Sequence, residues 1–479
     1  MRLTCLVLVA LVCVIVVESD KQPHIVLILA EDLGWNAVGW HNPDLKMPIL
    51  NQLAADGVIF NQSYVQPTCT PSRSALFTGY YPFKIQRQHQ FLLNLEADGL
   101  SLDLKILPEM LKDVGWNLGF CKEEYLPNQR GFDSFYGSLT SGTSFYSKQT
   151  SELGLGYDFR DNTGVVQESD TYLPSMLAER AVDIVMGHYK EYPLFLEFSM
   201  ALPGKALEVP QEYEDLYSDI ENDRTRTLYA KFSAMDNSIG RLVDALKTRG
   251  MWDDTLFIFT SDNGAAASIS GSNWPLRGTI GTLFEGCTRI PTFFHGSMLK
   301  KTGYVNNELI HIVDLQKTII ELAGAKTESD IDGMDMWKTI SKGEPSPRTE
   351  FVYNIDDNEL SPGAAIRVGD YKLITGNPNL VYPLRLLNSS ADWWNYGDDP
   401  ITRIPNSPLP PPANVTYLFN IIDDPEERNN LAEVYPNKVE ELRHRLDEYR
   451  ENLVPPVDRI IDPAGNPVNF GGVWSPGWC

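Results

Sequence analysis

The chain has 479 residues, 43% hydrophobic and 22% charged, with 35 Gly and 32 Pro, which excludes disorder, collagen and coiled coil and suffices for a large core. At that length a single core normally stops growing, so a large and a small domain are expected. Asp plus Glu number 64 against Lys plus Arg 40, a formal charge of −24, and no segment gathers the cations a polyanion needs; nucleic acid and anionic membrane are excluded as partners.

Met1-Arg2, the apolar run from Leu3 to Val17 and then Glu18-Ser19-Asp20 have the charged start, apolar centre and small-residue end of a signal peptide over residues 1–19. The run is short for a span and no second one follows, so no membrane span is expected after cleavage, and the destination is secreted or lysosomal. Sequons at Asn61, Asn388 and Asn414 fit glycosylation on that route. Asn414 follows Pro410-Pro411-Pro412 and so falls in an extended segment. Cys5 and Cys13 leave with the signal, and Cys69, Cys121, Cys287 and Cys479 remain. If Cys69 is taken up by chemistry three remain, an odd thiol is either free or pairs between chains, and tail position makes Cys479 the candidate for the unpaired one.

His24 to Ala30 is a continuous apolar run rich in β-branched residues, which reads as a strand buried on both faces. Pro193 to Ala201, Thr255 to Ser261 and Ile290 to His295 look alike and alternate with helical patterns at 103–114, 171–189, 225–248 and 313–324. Such alternation predicts an α/β fold with a mixed, mostly parallel sheet covered by helices. The texture changes at Glu344-Pro345-Ser346-Pro347. Strands at 350–354 and 364–375, a Pro-rich loop through 400–413 and a last helix from Pro436, with Val439, Leu442 and Leu446 at helical spacing, define a smaller C-terminal α+β domain. The expected division is 20–344 and 345–479.

Glu31-Asp32 follow the first strand directly, and Asp262-Asn263-Gly264 follow the 255–261 strand in the same way. Open α/β sheets bind ligands at such carboxyl ends, and three carboxylates with an amide oxygen suit Ca²⁺ or Mg²⁺ if the two strands are neighbours. Asp or Asn before Gly is also ordinary turn chemistry. The third element is Cys69-Thr70-Pro71-Ser72-Arg73, continued by Ser74-Ala75-Leu76-Phe77-Thr78-Gly79. Composition gives about 0.03 chance matches to C-x-P-x-R per chain, so coincidence is a poor explanation.

Together with the strand-end acids this stretch resembles the type I sulfatases, in which the cysteine is oxidised to formylglycine and its hydrate attacks sulfur. Gln62 to Thr78, Leu126-Pro127 with Arg130 to Asp133, Asn273-Trp274-Pro275-Leu276-Arg277-Gly278 and Asp424-Pro425-Glu426-Glu427-Arg428 are similar to the arylsulfatase B-like (N-acetylgalactosamine-4-sulfatase-like) subfamily. The resemblance implies an alkaline-phosphatase-like fold and a calcium-dependent sulfuric ester hydrolase. It implies one Ca²⁺ on Glu31, Asp32, Asp262, Asn263 and modified Cys69, with Arg73 beside the nucleophile. It further implies a formylglycine-generating enzyme as partner during secretion, and a sulfated carbohydrate or small-molecule sulfate ester as substrate. Glu31 stands where the family usually has Asp, a methylene that flexible Ca²⁺ coordination absorbs.

Four further places depart from the pattern. Gly115-Trp116-Asn117-Leu118-Gly119-Phe120 lacks the Lys and His of the family's G-K-W-H-L-G strand along with about eight residues. Gly204 stands for a histidine and Ile280 for a lysine, while Tyr80 replaces an arginine. None of His24, His41, His89, His188, His295, His311 or His444 falls in those registers; Lys205, next to Gly204, offers a cation, though a turn lysine is usually just solvated. Losing one oxyanion donor typically costs roughly 10²–10³ in rate, so weak or lost activity is expected, surviving best on activated aryl esters. The alternative is an inactive pseudosulfatase serving as a ligand-binding or interaction protein. Phosphoryl transfer on the same fold would need a His and Asp cluster for two metals that this sequence lacks.

Overall fold

The computed structural model describes residues 22–88, 91–111, 122–167, 170–266, 271–327, 330–357, 362–378, 380, 415–457 and 460–479. The signal segment, His89, the 115–120 stretch, Cys121, Asn388, Asn414 and the proline run lie outside the described residues.

The continuous apolar runs form four adjacent strands, one of them an edge, of a six-stranded sheet in the order Tyr304–His311, Val58–Tyr64, Thr292–His295, Thr255–Ser261, His24–Glu31, Phe195–Pro203. Their burial alternates strictly between two cores. Ile25, Leu27 and Leu29 face one cluster, with the helices Cys69–Thr78 and Ile312–Leu322; Val26, Ile28 and Ala30 face the other, with Pro48–Asp56, Leu173–Gly187 and Asp223–Thr248. Period-two alternation with both sides apolar is what a doubly covered sheet requires, and the α/β class expected from the sequence is the one observed.

The first strand pairs in parallel with Phe195–Pro203 and with Thr255–Ser261, whereas Thr292–His295 is antiparallel to both its neighbours. The strands Val58–Tyr64 and Tyr304–His311 are additions to the sequence reading; Asn61-Gln62-Ser63 and Asn306-Asn307-Glu308 interrupt their apolar pattern. The helix expected over 103–114 begins only at Leu107, where Pro108 suits a first turn.

A second, antiparallel sheet follows in the order Glu350–Asp356, Gly363–Val368, Tyr371–Gly376, Val415–Asn420. The segment read as a single strand over 364–375 is a hairpin, turned at Gly369 with φ 57°. Helix Pro436–Arg450 covers this sheet through Leu442 and Leu446, and one continuous apolar cluster joins it to the first sheet. Cys479 is disulfide-bonded, and the described free thiols are Cys69 and Cys287. This corrects the expectation that Cys479 is unpaired; the tail is anchored here by Trp474, fully buried beside Leu95.

One charge cluster locks the second sheet to the short helix Glu285–Thr288. Lys372 is fully buried with its Nζ 3.0 Å from Glu285 and 2.8 Å from Glu427, and the hydroxyls of Tyr64 and Tyr353 each donate to Glu285 at 2.7 Å. Arg277 Nη1 donates to the Glu427 carbonyl at 3.1 Å, so the W-P-L-R-G and D-P-E-E-R motifs meet as structural partners. Removing one member of a buried pair strands the other's charge, so Lys372→Met should cost roughly 3–5 kcal/mol in denaturant titration. Glu448→Gln, which opens the exposed Arg445 pair, should stay within about 0.5 kcal/mol. Equal effects from the two substitutions would contradict this assignment.

Candidate active site

The first and third runs are neighbours, with Ala30 opposite Ser261, so Glu31-Asp32 and Asp262-Asn263 emerge side by side at the carboxyl edge of the sheet. The Asp262 amide donates to the Ala30 carbonyl at 3.2 Å, and the Asp32 amide donates to Asp262 Oδ1 at 3.1 Å. Asp32 takes φ 54°, a left-handed conformation that Asp tolerates better than most residues. Asn263 Nδ2 donates to Asp32 Oδ1 at 2.7 Å, which leaves Asn263 Oδ1 buried with no donor. Gly264 is required here, because a Cβ would lie 2.0 Å from the Gly286 carbonyl oxygen.

Crowding of these acids shows in their titration. Burial, then Asp32 and Asp262, push Glu31 up to about 8, and burial, then Asp262, push Asp32 up to about 6. A buried amide oxygen without a donor beside three carboxylates is a donor set suited to a hard divalent cation. The groups are not already gathered as a cage: among the described residues no three His, Cys, Asp or Glu side chains converge at metal-binding geometry. Asp262 turns its Oδ2 to Arg73 instead, accepting from Nη2 at 2.8 Å and Nε at 3.1 Å.

Cys69 opens the helix Cys69–Thr78, and Arg73 stands one turn later on the same side. Ser72 closes the entry turn, accepting from the Gln66 amide at 3.0 Å and donating to the Gln66 carbonyl at 3.2 Å. Arg73 Nη1 also donates to Ser199 Oγ at 2.7 Å. Burial first, then Asp262, Asp32 and Glu31, push the Cys69 thiol up to about 12. At neutral pH it is a protonated thiol and a poor nucleophile as it stands.

Glu31, Cys69, Arg73, Lys205 and Asp262 line one cavity of about 240 Å³, walled on its apolar side by Phe91 and Phe135. Below the size of drug-like pockets, it has room for about one ring and a sulfate. A larger cavity of about 710 Å³ beside the outer edge of Phe195–Pro203 contains none of those five groups. No histidine is among the described residues lining the smaller one. His24 accepts the Leu194 amide, His41 stacks on Trp35, His295 on Trp252, His188 approaches the Tyr192 carbonyl and His311 caps a helix, so these imidazoles serve structure. Gly204 has φ 47°, and a Cβ there would lie 2.3 Å from the Ala201 oxygen, so this turn has no room for the histidine of the pattern. Ile280 is half-buried, donates its amide to Ala265 and does not line the cavity. Asn61 is half-exposed, with its Nδ2 2.9 Å from Asn307 Oδ1.

Three groups near the site went unread in the sequence. Ser199 holds Arg73; Glu197, on the same strand, is buried with neither carboxylate oxygen hydrogen-bonded. Lys231 is fully buried on the long helix and donates to the Gly204 and Ala206 carbonyls at 2.9 and 2.6 Å. An acid inside Phe195-Leu196-Glu197-Phe198 and a lysine inside Tyr229-Ala230-Lys231-Phe232 are ionisable groups on apolar faces, which is the signal that would have found them.

A doubly covered α/β sheet with acids at two adjacent strand ends, facing a helix that begins with cysteine, defines a hydrolase-type architecture. Against known proteins, the sulfatase family model matches residues 23–325. Arylsulfatase J of Mus musculus is 37% identical over 491 aligned positions, covering 96% of this chain and 81% of that protein. Arylsulfatase A of Bos taurus is 28% identical, covering 87% and 84%, and N-acetylgalactosamine-6-sulfatase of Mus musculus 26%, covering 91% and 88%. The crystal structure of Ps i-CgsB in complex with k-i-k-neocarrahexaose superposes with TM-score 0.76 at 26% identity, covering 92% of this chain and 96% of that one. The chain belongs to the sulfatase family.

Burial pushes Glu197 up to about 8 against the pull of Arg73. Between about pH 5 and 8 the folded chain therefore holds a proton that the unfolded chain has released, and stability falls as pH rises through that window. Glu197→Gln keeps the shape of the protonated acid. Its melting temperature should match the wild type near pH 5 and exceed it increasingly toward pH 8, the gap growing by up to about 1.4 kcal/mol per pH unit. Parallel pH profiles would contradict the assignment.

Proposed function

We propose that this chain is a secreted, arylsulfatase B-like sulfuric ester hydrolase of reduced activity, acting on sulfate esters of carbohydrates or small molecules. The observation that carries the reading is the cavity in which Cys69 and Arg73, from one helix, face Glu31 and Asp262 from two strand ends. Glu31, Asp32, Asp262 and Asn263, with modified Cys69, would hold one Ca²⁺. When present, the cation supplies positive charge toward sulfate oxygens and the formylglycine hydrate at position 69 supplies the attacking oxygen.

The chain's own residues then do the following. The strand ends fix the acids in place. Arg73 draws on Asp262 and Ser199 to stay extended toward position 69, its guanidinium disfavoured by burial but held charged by Asp262. Phe91 and Phe135 pack the body of the ester and exclude water. The high pKa of the Cys69 thiol favours this reading over direct thiolate chemistry. Likeness to Ps i-CgsB, solved with k-i-k-neocarrahexaose, supports a carbohydrate ester, while the arylsulfatase B-like subtype rests on the sequence motifs. The secretory route, with residues 1–19 removed and glycans at Asn61, Asn388 and Asn414, and the division at 344/345 belong to the same proposal.

The pseudosulfatase alternative draws on one observation: no histidine is among the described lining residues, so no imidazole there is placed to protonate a leaving alcohol. General acid catalysis is worth roughly 10²–10⁴ in rate, and an activated phenol needs it least. The expected result is slow turnover of an aryl sulfate, at least about 10² faster than of N-acetylgalactosamine 4-sulfate. Turnover should vanish in Cys69→Ala, with mass analysis of the Cys69 peptide showing conversion in the wild type. Turnover no higher than that of Cys69→Ala would overturn the hydrolase reading.

A further inference from the structure

Two cations are among the described residues lining the Cys69 cavity. Arg73 is committed, donating twice to Asp262 and once to Ser199. Lys205 makes no hydrogen-bonded ion pair among the described residues; its Nζ lies 5.3 Å from the Phe91 ring centroid, at the apolar wall. Its position is built by the turn that carries it. Gly204, in the left-handed conformation, hooks the chain back so that its amide reaches the Glu31 carbonyl at 3.4 Å. Lys231 then binds the carbonyls on either side of Lys205, those of Gly204 and Ala206, from beneath. A buried ammonium spent on two carbonyls of one turn fixes that turn's backbone. The side chain between those carbonyls has solvent access and is directed to the cavity.

We propose that Lys205 is the cation that grips the sulfate group of the bound ester, and that Lys231 is the positioning residue that aims it. The role lies in one exposed lysine and one turn, and rests on the sulfate-ester reading of the cavity. Burial by itself would lower the Lys205 pKa, but Glu152, Glu31, Asp32 and Cys69 outweigh it and keep the ammonium charged at neutral pH. An anion arriving at the mouth meets that charge before it meets the acids of the floor. Without it an incoming sulfate would face the acidic floor with Arg73 already committed to Asp262.

The test is calorimetric titration of 4-nitrophenyl sulfate, in calcium-containing buffer, into Cys69→Ala, where binding is read without turnover. Adding Lys205→Ala should weaken binding about tenfold or more and flatten its dependence on NaCl. Lys205→Arg should keep affinity within about threefold, because it restores the charge. Lys231→Met should lose affinity to a similar extent as Lys205→Ala and show the same flattened salt dependence, which a general loss of stability would not produce. Unchanged affinity in Lys205→Ala, or no binding to Cys69→Ala at all, would overturn the proposal. Lys205-dependent binding in a chain that never turns over an aryl sulfate would sink the hydrolase reading alone. Turnover indifferent to Lys205→Ala would sink this inference alone.

Discussion

Buried negative charge at the ends of two adjacent parallel strands is the constraint around which the rest is arranged. Asp32 and Asp262 raise the proton affinity of Glu31, Asp262 raises that of Asp32, and Asn263 adds a buried oxygen with no donor. Such a concentration persists only if other groups offset it or if protons bind. Arg73 offsets Asp262 through two hydrogen bonds, the backbone amide of Asp32 a further part, and Lys205 from the turn and Lys231 from the long helix add positive charge. Sheet, helix start and turn thus meet at one point for an electrostatic reason.

The site keeps a floor suited to a cation while its walls depart from the family pattern in an ordered way. Gly204 is not a simple truncation: its left-handed turn brings the next residue, Lys205, to the cavity, and Lys231 secures that turn from the core. Burial pulls Lys231 down to about 7, so the clamp spends an ammonium poised to lose its charge, held by Glu31, Asp32 and Glu208. A buried lysine is tolerated here because its donors meet carbonyls.

The legible parts of the sequence are those where pattern and chemistry coincide. Continuous apolar runs mark the strands His24–Glu31 and Thr255–Ser261, and the acids directly after them need only strand adjacency to become a site. Val58–Tyr64 and Tyr304–His311 escape notice because polar residues break their pattern, and their place is decided by partners distant in sequence. The 364–375 hairpin is missed because Gly369 and Asp370 are a two-residue turn within one apolar texture. Glu197, Ser199 and Lys231 are invisible from motifs, since their roles come from what the fold sets beside them. The disulfide at Cys479 is a similar case: sequence counts thiols but does not place them.

We propose that the strand-end oxygens form a floor for one divalent cation. Titrating Ca²⁺ into the chelator-treated protein while following its thermal unfolding tests this most directly. Saturable stabilisation, about 2.7 kcal/mol at a hundredfold excess over the dissociation constant, is expected in the wild type and should be lost in Asn263→Ala. Unfolding of the wild type that does not respond to Ca²⁺ would contradict the account.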